Sequence, residues 1–474
     1  MPAFPLENLG DADFRADHRL RYAYVAGAMA NGIGSVEVVE AMARAGMLGF
    51  FGAAGLSLPA IEAALDRLAR NLTNLPYGFN LIHSPNEPDL EQAVVDLYLK
   101  RNVRLVEASA YLELTLPIVQ FRVHGIRRDP DDRVFTPNKV IAKVSRVEVA
   151  SKFMSPPPPP MLRILLERGE ITSEQAELAS HVPMAQDITA EADSGGHTDN
   201  RPSITLIPTM LALRDRMQSR YDYPHPLRVG AAGGIATPAS AAAALTMGAA
   251  YVLTGSVNQA CVEAGTSDAV RAMLAQAEQA DTMMAPAADM FEMGVKVQVL
   301  KRGTMFPMRA ARLYELYRAH ASLEEIPAVE RSSLEKTVFR APLPEIWRQT
   351  RDFFQDRDPR QVDRAERDPK HKMALVFRWY LGQSSRWAKS GEPSRKIDYQ
   401  IWCGPAMGAF NEWAKNTFLE KAENRQVVVI AMNILYGAAV MLRAQNLRCQ
   451  GVSLPAHCPR LRPLELEELT SRME

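Results

Sequence analysis

The chain has 474 residues, 47% of them hydrophobic and 23% charged, and 55 Lys+Arg balance 55 Asp+Glu to a formal net charge of zero. These values describe an ordinary folded protein of roughly two to three domains and exclude wholesale disorder. The even charge balance offers neither the basic footprint of a nucleic-acid binder nor an attraction to anionic membranes.

The opening stretch MPAFPLENLGDADFRAD has no basic region and no apolar region, so no secretory signal is expected and the reducing cytoplasm is the expected compartment. From residue 22 onward, short apolar runs alternate with amphipathic stretches. The runs are 22–29, 47–55, 77–82, 103–109, 140–145, 187–193, 228–234 and 251–256. Continuous apolar runs bounded by glycine suit strands buried on both faces of a parallel sheet. Eight such units predict an α/β fold, a closed (β/α)8 TIM barrel. An open, doubly wound sheet is the alternative.

Between the fifth and sixth runs lies SPPPPPMLRILLERGEITSEQAELASHVP, residues 155–183. Its proline run fits neither helix nor central strand. The rest reads as two short helices, the second capped by TSEQ. A solvated proline-rich linker is the alternative. Beyond about Gly303 the chain turns helical and aromatic, and all five tryptophans lie there. The predicted division is therefore a barrel over 1–302, with a helical excursion at 155–183, followed by a helical substrate-binding or lid region over 303–474. The apolar segment 427–442 is shorter than the roughly 20 residues that a membrane span needs, and Asn433 interrupts it. It reads as a buried helix, about 426–443, that packs back on the barrel.

The seventh and eighth runs each end in a glycine turn, at Gly233-Gly234 and at Gly255-Ser256, and each turn opens a helix. Bare backbone N–H groups at two successive turns suit one anion, and barrels bind phosphate at this position. Two tight turns without a ligand are the alternative. The other run ends supply Ala28 and Met29, small and soft enough to lie under a flat ring, together with Asn80 and Lys143. A lone lysine in an apolar strand must pair or snorkel. Lys143 therefore reads either as a cation beside that ring or as half of a structural ion pair. After the sixth run comes EADSGGHTDNRP, where Gly195 and Gly196 allow close backbone approach and His197 offers a proton near neutral pH. The four cysteines, Cys261, Cys403, Cys449 and Cys458, have no metal-type spacing, so no metal site is expected.

The stretches AKVSRVEVASKFMSPPP, ITAEADSGGHTDNRP, VGAAGGIATPASAAAALTMGAAYVLTGSVNQACVEAGTSD and MALVFRWYLGQSSRWA carry a resemblance. They resemble the FMN-dependent enoyl reductases of polyunsaturated fatty acid synthases and of polyketide assembly lines that use the enzyme in trans, within the wider nitronate monooxygenase group. The likeness runs from about Arg21 to Gly451. It implies an FMN barrel with flavin contacts at Ala28, Met29, Asn80, Lys143, Gly195, Gly233, Gly234, Gly255 and Ser256, and an active-site histidine at His197. It also implies hydride from NADPH or NADH and a substrate enoyl thioester held by an acyl carrier protein of a polyketide or fatty acid synthase. The Gly-Gly-His-Thr-Asp loop departs from the broader group, so water or another group is an alternative proton donor. Arg378 and Arg386, set among aromatics, read either as contacts to an acidic carrier or as core-capping arginines. An oxidase of nitronates and a non-catalytic carrier-binding scaffold are the rival readings. Neither nucleic acid nor a membrane is an expected partner, and a homodimer stays open.

Overall fold

The computed structural model describes residues 5–473 except 84, 86, 456, 457, 459 and 460. Eight parallel strands form a closed ring: β1 (Tyr24–Ala26), β2 (Leu48–Phe51), β3 (Gly78–Ile82), β4 (Leu105–Ser109), β5 (Lys139–Val144), β6 (Asp187–Glu191), β7 (Arg228–Ala232) and β8 (Val252–Thr254). Each strand pairs with its neighbour in sequence, and β8 closes on β1 with Val25 opposite Leu253. That last pairing makes the sheet a TIM barrel and rules out the open alternative.

The apolar runs look continuous because both faces are buried, but the pleat still sorts their residues. Val25, Phe50, Leu105, Ile141 and Leu253 share one core with Tyr251 and Phe14. Their neighbours Tyr24, Val106, Val140 and Ala142 share the other, against the surrounding helices. The same parity carries Glu107, two residues after Leu105, and Lys143, two after Ile141, onto the first face.

The N-terminal end of the barrel is plugged by the helix Ala12–His18, which Asp11 caps by accepting the Phe14 N–H at 2.7 Å. Phe14 stacks on Tyr251 at 4.1 Å between centroids. His18 Nε2 lies 2.8 Å from Asp187 Oδ2, and Arg228 Nε donates to Asp187 Oδ1 at 2.6 Å. Burial opposes charge on Asp187, yet His18 and Arg228 outweigh it and hold the carboxyl below its usual range.

Between β5 and β6 the chain forms the helices Pro159–Glu167 and Ser173–Ala179. The proline run enters the first of them at its opening positions, where a missing N–H costs nothing. The second carries a reciprocal capping box between Thr172 and Gln175.

A second core gathers Phe291, Val297, Phe306, Phe339, Phe377 and Tyr380. It is built from an antiparallel sheet of Thr282–Pro286, Lys296–Leu300 and Gly196–His197, with helices that include Phe306–Ala319, Leu343–Arg357 and Pro369–Ser390. Residues Tyr399, Ile401, Cys403 and Phe410 already belong to the barrel's core again. The helix Val427–Cys449 then packs between Pro238–Thr246, which follows β7, and Val36–Arg44, which follows β1. It fills the place of the eighth barrel helix. By core membership the helical unit thus spans about 282–398 and is inserted between β8 and the barrel's closing helix, which differs from a cut at 302/303. Among the described residues, Val427–Cys449 alone has the length and hydropathy to cross a membrane, and 67% of its most apolar window is buried in the protein.

Candidate active site

A cavity of about 520 Å³ opens between the C-terminal ends of the barrel strands and the inserted unit. Ala28, Met29, Asn80, Lys143, Gly195, His197, Gly233, Gly234, Gly255 and Ser256 all line it. They come from six of the eight strand ends, so only closure of the barrel brings them together.

The two glycine turns form one wall. Gly233 and Gly234 have φ of +77° and +75°, the left-handed region that glycine enters without steric cost. A side chain at Gly233 would strike the backbone of Ala192, whereas a Cβ at Gly234 or Gly255 would meet nothing within 4 Å. The latter two therefore present bare backbone to the cavity. No acceptor among the described residues takes their N–H groups. Thr237 and Ser240 form a capping box at the start of the helix Pro238–Thr246, just beyond the first turn. Ser256 Oγ accepts the Gly404 N–H at 3.1 Å, which leaves its own hydrogen for a ligand. Open, unspent donors at this place suit a phosphate group.

The floor holds a chain of charges. Lys143 Nζ lies 3.3 Å from Glu191 Oε1, and both side chains are about 15% exposed, at 16% and 14%. Glu107 is fully buried nearby, its Oε2 accepting the Ala28 N–H at 3.0 Å while Oε1 has no hydrogen-bond partner among the described residues. Burial pushes its pKa up to about 7, against the opposing pull of Lys143. Burial also works against charge on Lys143, but Glu191 and Glu107 outweigh it and raise the lysine, so the ammonium persists. Lys143 is thus an ion-pair partner and a cavity wall at once. Asn80 Nδ2 donates to the Glu107 carbonyl and to Ser109 Oγ, each at 3.1 Å, which spends its amino group on β4.

His197 sits on a two-residue edge strand, paired with Val297 of the inserted unit. Its Nε2 lies 3.2 Å from Asp289 Oδ1, with the two side chains 31% and 40% exposed. Desolvation favours the neutral ring, but Asp289 and then Glu191 overcome it and raise the imidazole pKa above its ordinary value. Gly195 has a further reason to be small, because a Cβ there would collide with the backbone of Cys403 at about 3 Å. Sequence reasoning missed Glu107, Glu191 and Asp289 as site residues. The first two carry the signal that marked Lys143, a charge at the inward parity of an apolar strand. Asp289 carries none, since it reaches His197 only through the docking of the inserted unit.

The nitronate monooxygenase family model matches residues 16–331, two thirds of the chain. A second model, the inserted helical domain of acyl-carrier-protein S-malonyltransferase, matches residues 320–399. One of the polyunsaturated fatty acid synthase subunits of Thraustochytrium sp. is 48% identical over 450 residues, 94% of this chain and 30% of that protein. Polyketide biosynthesis protein PksE of Bacillus subtilis is 46% identical over 452 residues, 95% of this chain and 58% of that one. The chain therefore spans less than two thirds of these curated relatives. The crystal structure of the enoyl reductase domain of MlnA, from the macrolactin cluster of Bacillus amyloliquefaciens, superposes with a TM-score of 0.89 at 42% identity. That match covers 93% of this chain and 99% of the MlnA domain.

Proposed function

The chain belongs to the nitronate monooxygenase family, in the enoyl reductase branch that the MlnA domain represents, and from that premise we propose that it is an enoyl reductase using FMN and NADPH or NADH. Its substrates are α,β-unsaturated thioesters on an acyl carrier protein, and it serves a polyketide or polyunsaturated fatty acid synthase in the cytoplasm. The observation that carries this reading is the pair of bare glycine turns at Gly234 and Gly255, open to the cavity that His197 and Lys143 also line.

Those turns and Ser256 fit the phosphate of FMN, and the small floor of Ala28 and Met29 fits its ring system. Bound there, FMN would supply a two-electron relay between a nicotinamide and the β-carbon of the enoyl thioester. The chain's own residues do the rest. The Lys143 ammonium, kept charged by Glu191, offers positive potential to an anion forming beside it. His197 holds a proton at Nε2 or Nδ1 with Asp289 as its counter-charge, and can donate it to the α-carbon or to the thioester oxygen. Trp379, Phe354 and Leu375 of the inserted unit line the same cavity and exclude water from the reacting carbon. The match of residues 320–399 to a domain of a carrier-protein acyltransferase supports a carrier-borne substrate.

The test is an anaerobic flavin spectrum. NADPH should bleach the protein, and an enoyl chain on a carrier protein should restore its colour. Oxygen consumption with an alkyl nitronate, without recovery by the enoyl carrier, would instead establish a nitronate oxidase. A colourless protein that refuses added FMN would leave only a scaffold.

A further inference from the structure

Among the described residues, Arg386 is the cation of this cavity that is left without a counter-charge. It lines the cavity and is exposed, which places it at the mouth. Its guanidinium carbon lies 5.4 Å from the ring centroid of Phe353, and Arg357 lies over the same ring at 5.6 Å. Arg357 is neutralised by Glu87, with Nη2 to Oε2 at 3.0 Å. Arg378, two turns before Arg386 on the helix Pro369–Ser390, is neutralised by Glu292 at 3.2 Å. Among the described residues no carboxylate lies within ion-pair distance of Arg386.

The same helix carries a second oddity. Gly382 lies in its interior, where glycine costs about 1 kcal/mol relative to alanine. Crowding does not demand it, because an added Cβ would meet nothing within 4 Å, and the position faces the cavity. Gly382 and Arg386 are four residues apart and so lie one above the other on one helix face. A strip of bare helix that ends at the mouth in an uncompensated guanidinium fits a narrow chain with a phosphate near its outer end.

We propose that this face binds the phosphopantetheine arm of the thioester, with Arg386 on the phosphodiester and Gly382 making room for the pantetheine chain. The inference rests on the enoyl-thioester reading above. A planar guanidinium stacked on an aromatic ring is held in place and can meet two phosphate oxygens at once.

Calorimetry of pantetheine and of 4′-phosphopantetheine binding to the flavin-loaded enzyme tests this. The phosphate should improve affinity about tenfold in the wild type, and less than about twofold in Arg386→Gln. Gly382→Leu, which favours the helix but fills the strip, should weaken both ligands. Equal affinities in the wild type, or a preference that survives in Arg386→Gln, would overturn the proposal. So would an Arg386→Gln protein that loses adenosine 5′-diphosphate binding while keeping its phosphopantetheine preference, since the anion would then belong to the dinucleotide. These readouts need no turnover. Reoxidation of the reduced wild type by an enoyl-pantetheine is scored separately, and its failure would remove the functional reading instead.

Discussion

Replacing Asp289 by Asn removes the carboxylate that faces His197 and keeps the side-chain shape. The charges it uncouples lie 3.2 Å apart, and with Asp289 40% exposed, water reaches the pair and screens it strongly even though the ring is partly desolvated. Coulomb's law at a dielectric near 80 then gives about 1.3 kcal/mol, and salt reduces this to about 1 kcal/mol. That equals about a fivefold change in the acid dissociation constant of the imidazole. The sign follows from the raised pKa of His197. An acid that must be protonated works below its pKa and is lost as pH rises through it, so the descending limb of the rate profile moves to lower pH in Asp289→Asn. At high pH, where the imidazole is neutral in both proteins, the variant should be about fivefold slower, in the ratio of the two dissociation constants. The assay is single-turnover reoxidation of the reduced flavin by an enoyl carrier substrate, followed from about pH 5.5 to 9. A limb that stays in place would mean that His197 is not the proton donor, and water would take that role. A limb that moves to higher pH would refute the electrostatic assignment itself.

Two further outcomes follow from the site. Gly255→Val places methyl groups where no described protein atom lies within 4 Å of the added Cβ. The variant should fold normally yet lose flavin affinity by at least about tenfold, an energy of about 1.4 kcal/mol. Full occupancy after purification would show that this turn does not hold the phosphate. Glu107→Gln addresses the buried acid, whose pKa rises from an ordinary 4.5 to about 7. Ionising such a group disfavours the folded state, so stability is complete below the unfolded value and declines as pH climbs through about 7. The full gap is worth about 3 kcal/mol. Urea midpoints of the wild type should therefore fall across that window, and those of Glu107→Gln should fall much less. Parallel curves would contradict the assignment.

The eight barrel strands were legible because each is a local apolar run with glycine at its end, and their order needs no long-range information once every unit is strand then helix. His197 and the glycine turns were legible for a related reason: small residues and one imidazole stand where strands stop. The inserted unit was harder. Lys296–Leu300 alternates in sequence but pairs with Gly196–His197, about 100 residues earlier, so its membership of the second core is not a local property. The helix Val427–Cys449 shows the same limit. Its apolar composition announces burial, but its seat between the helices that follow β7 and β1 depends on a return from an excursion of well over one hundred residues.

The sequence by itself determined the pleat parity that turns Glu107, Lys143 and Glu191 inward, and the unencumbered amides at Gly234 and Gly255. Periodicity and steric freedom act over a few residues, so they can be read from a few residues. Only the tertiary structure decided that Asp289 faces His197 and raises its pKa, that Glu107 is buried where ionisation is disfavoured, and that Arg386 reaches the cavity mouth with no counter-charge among the described residues. Electrostatic partners are chosen by distance through space. In this protein that distance is set by where an inserted unit docks on a ring that closes only when its last strand meets its first.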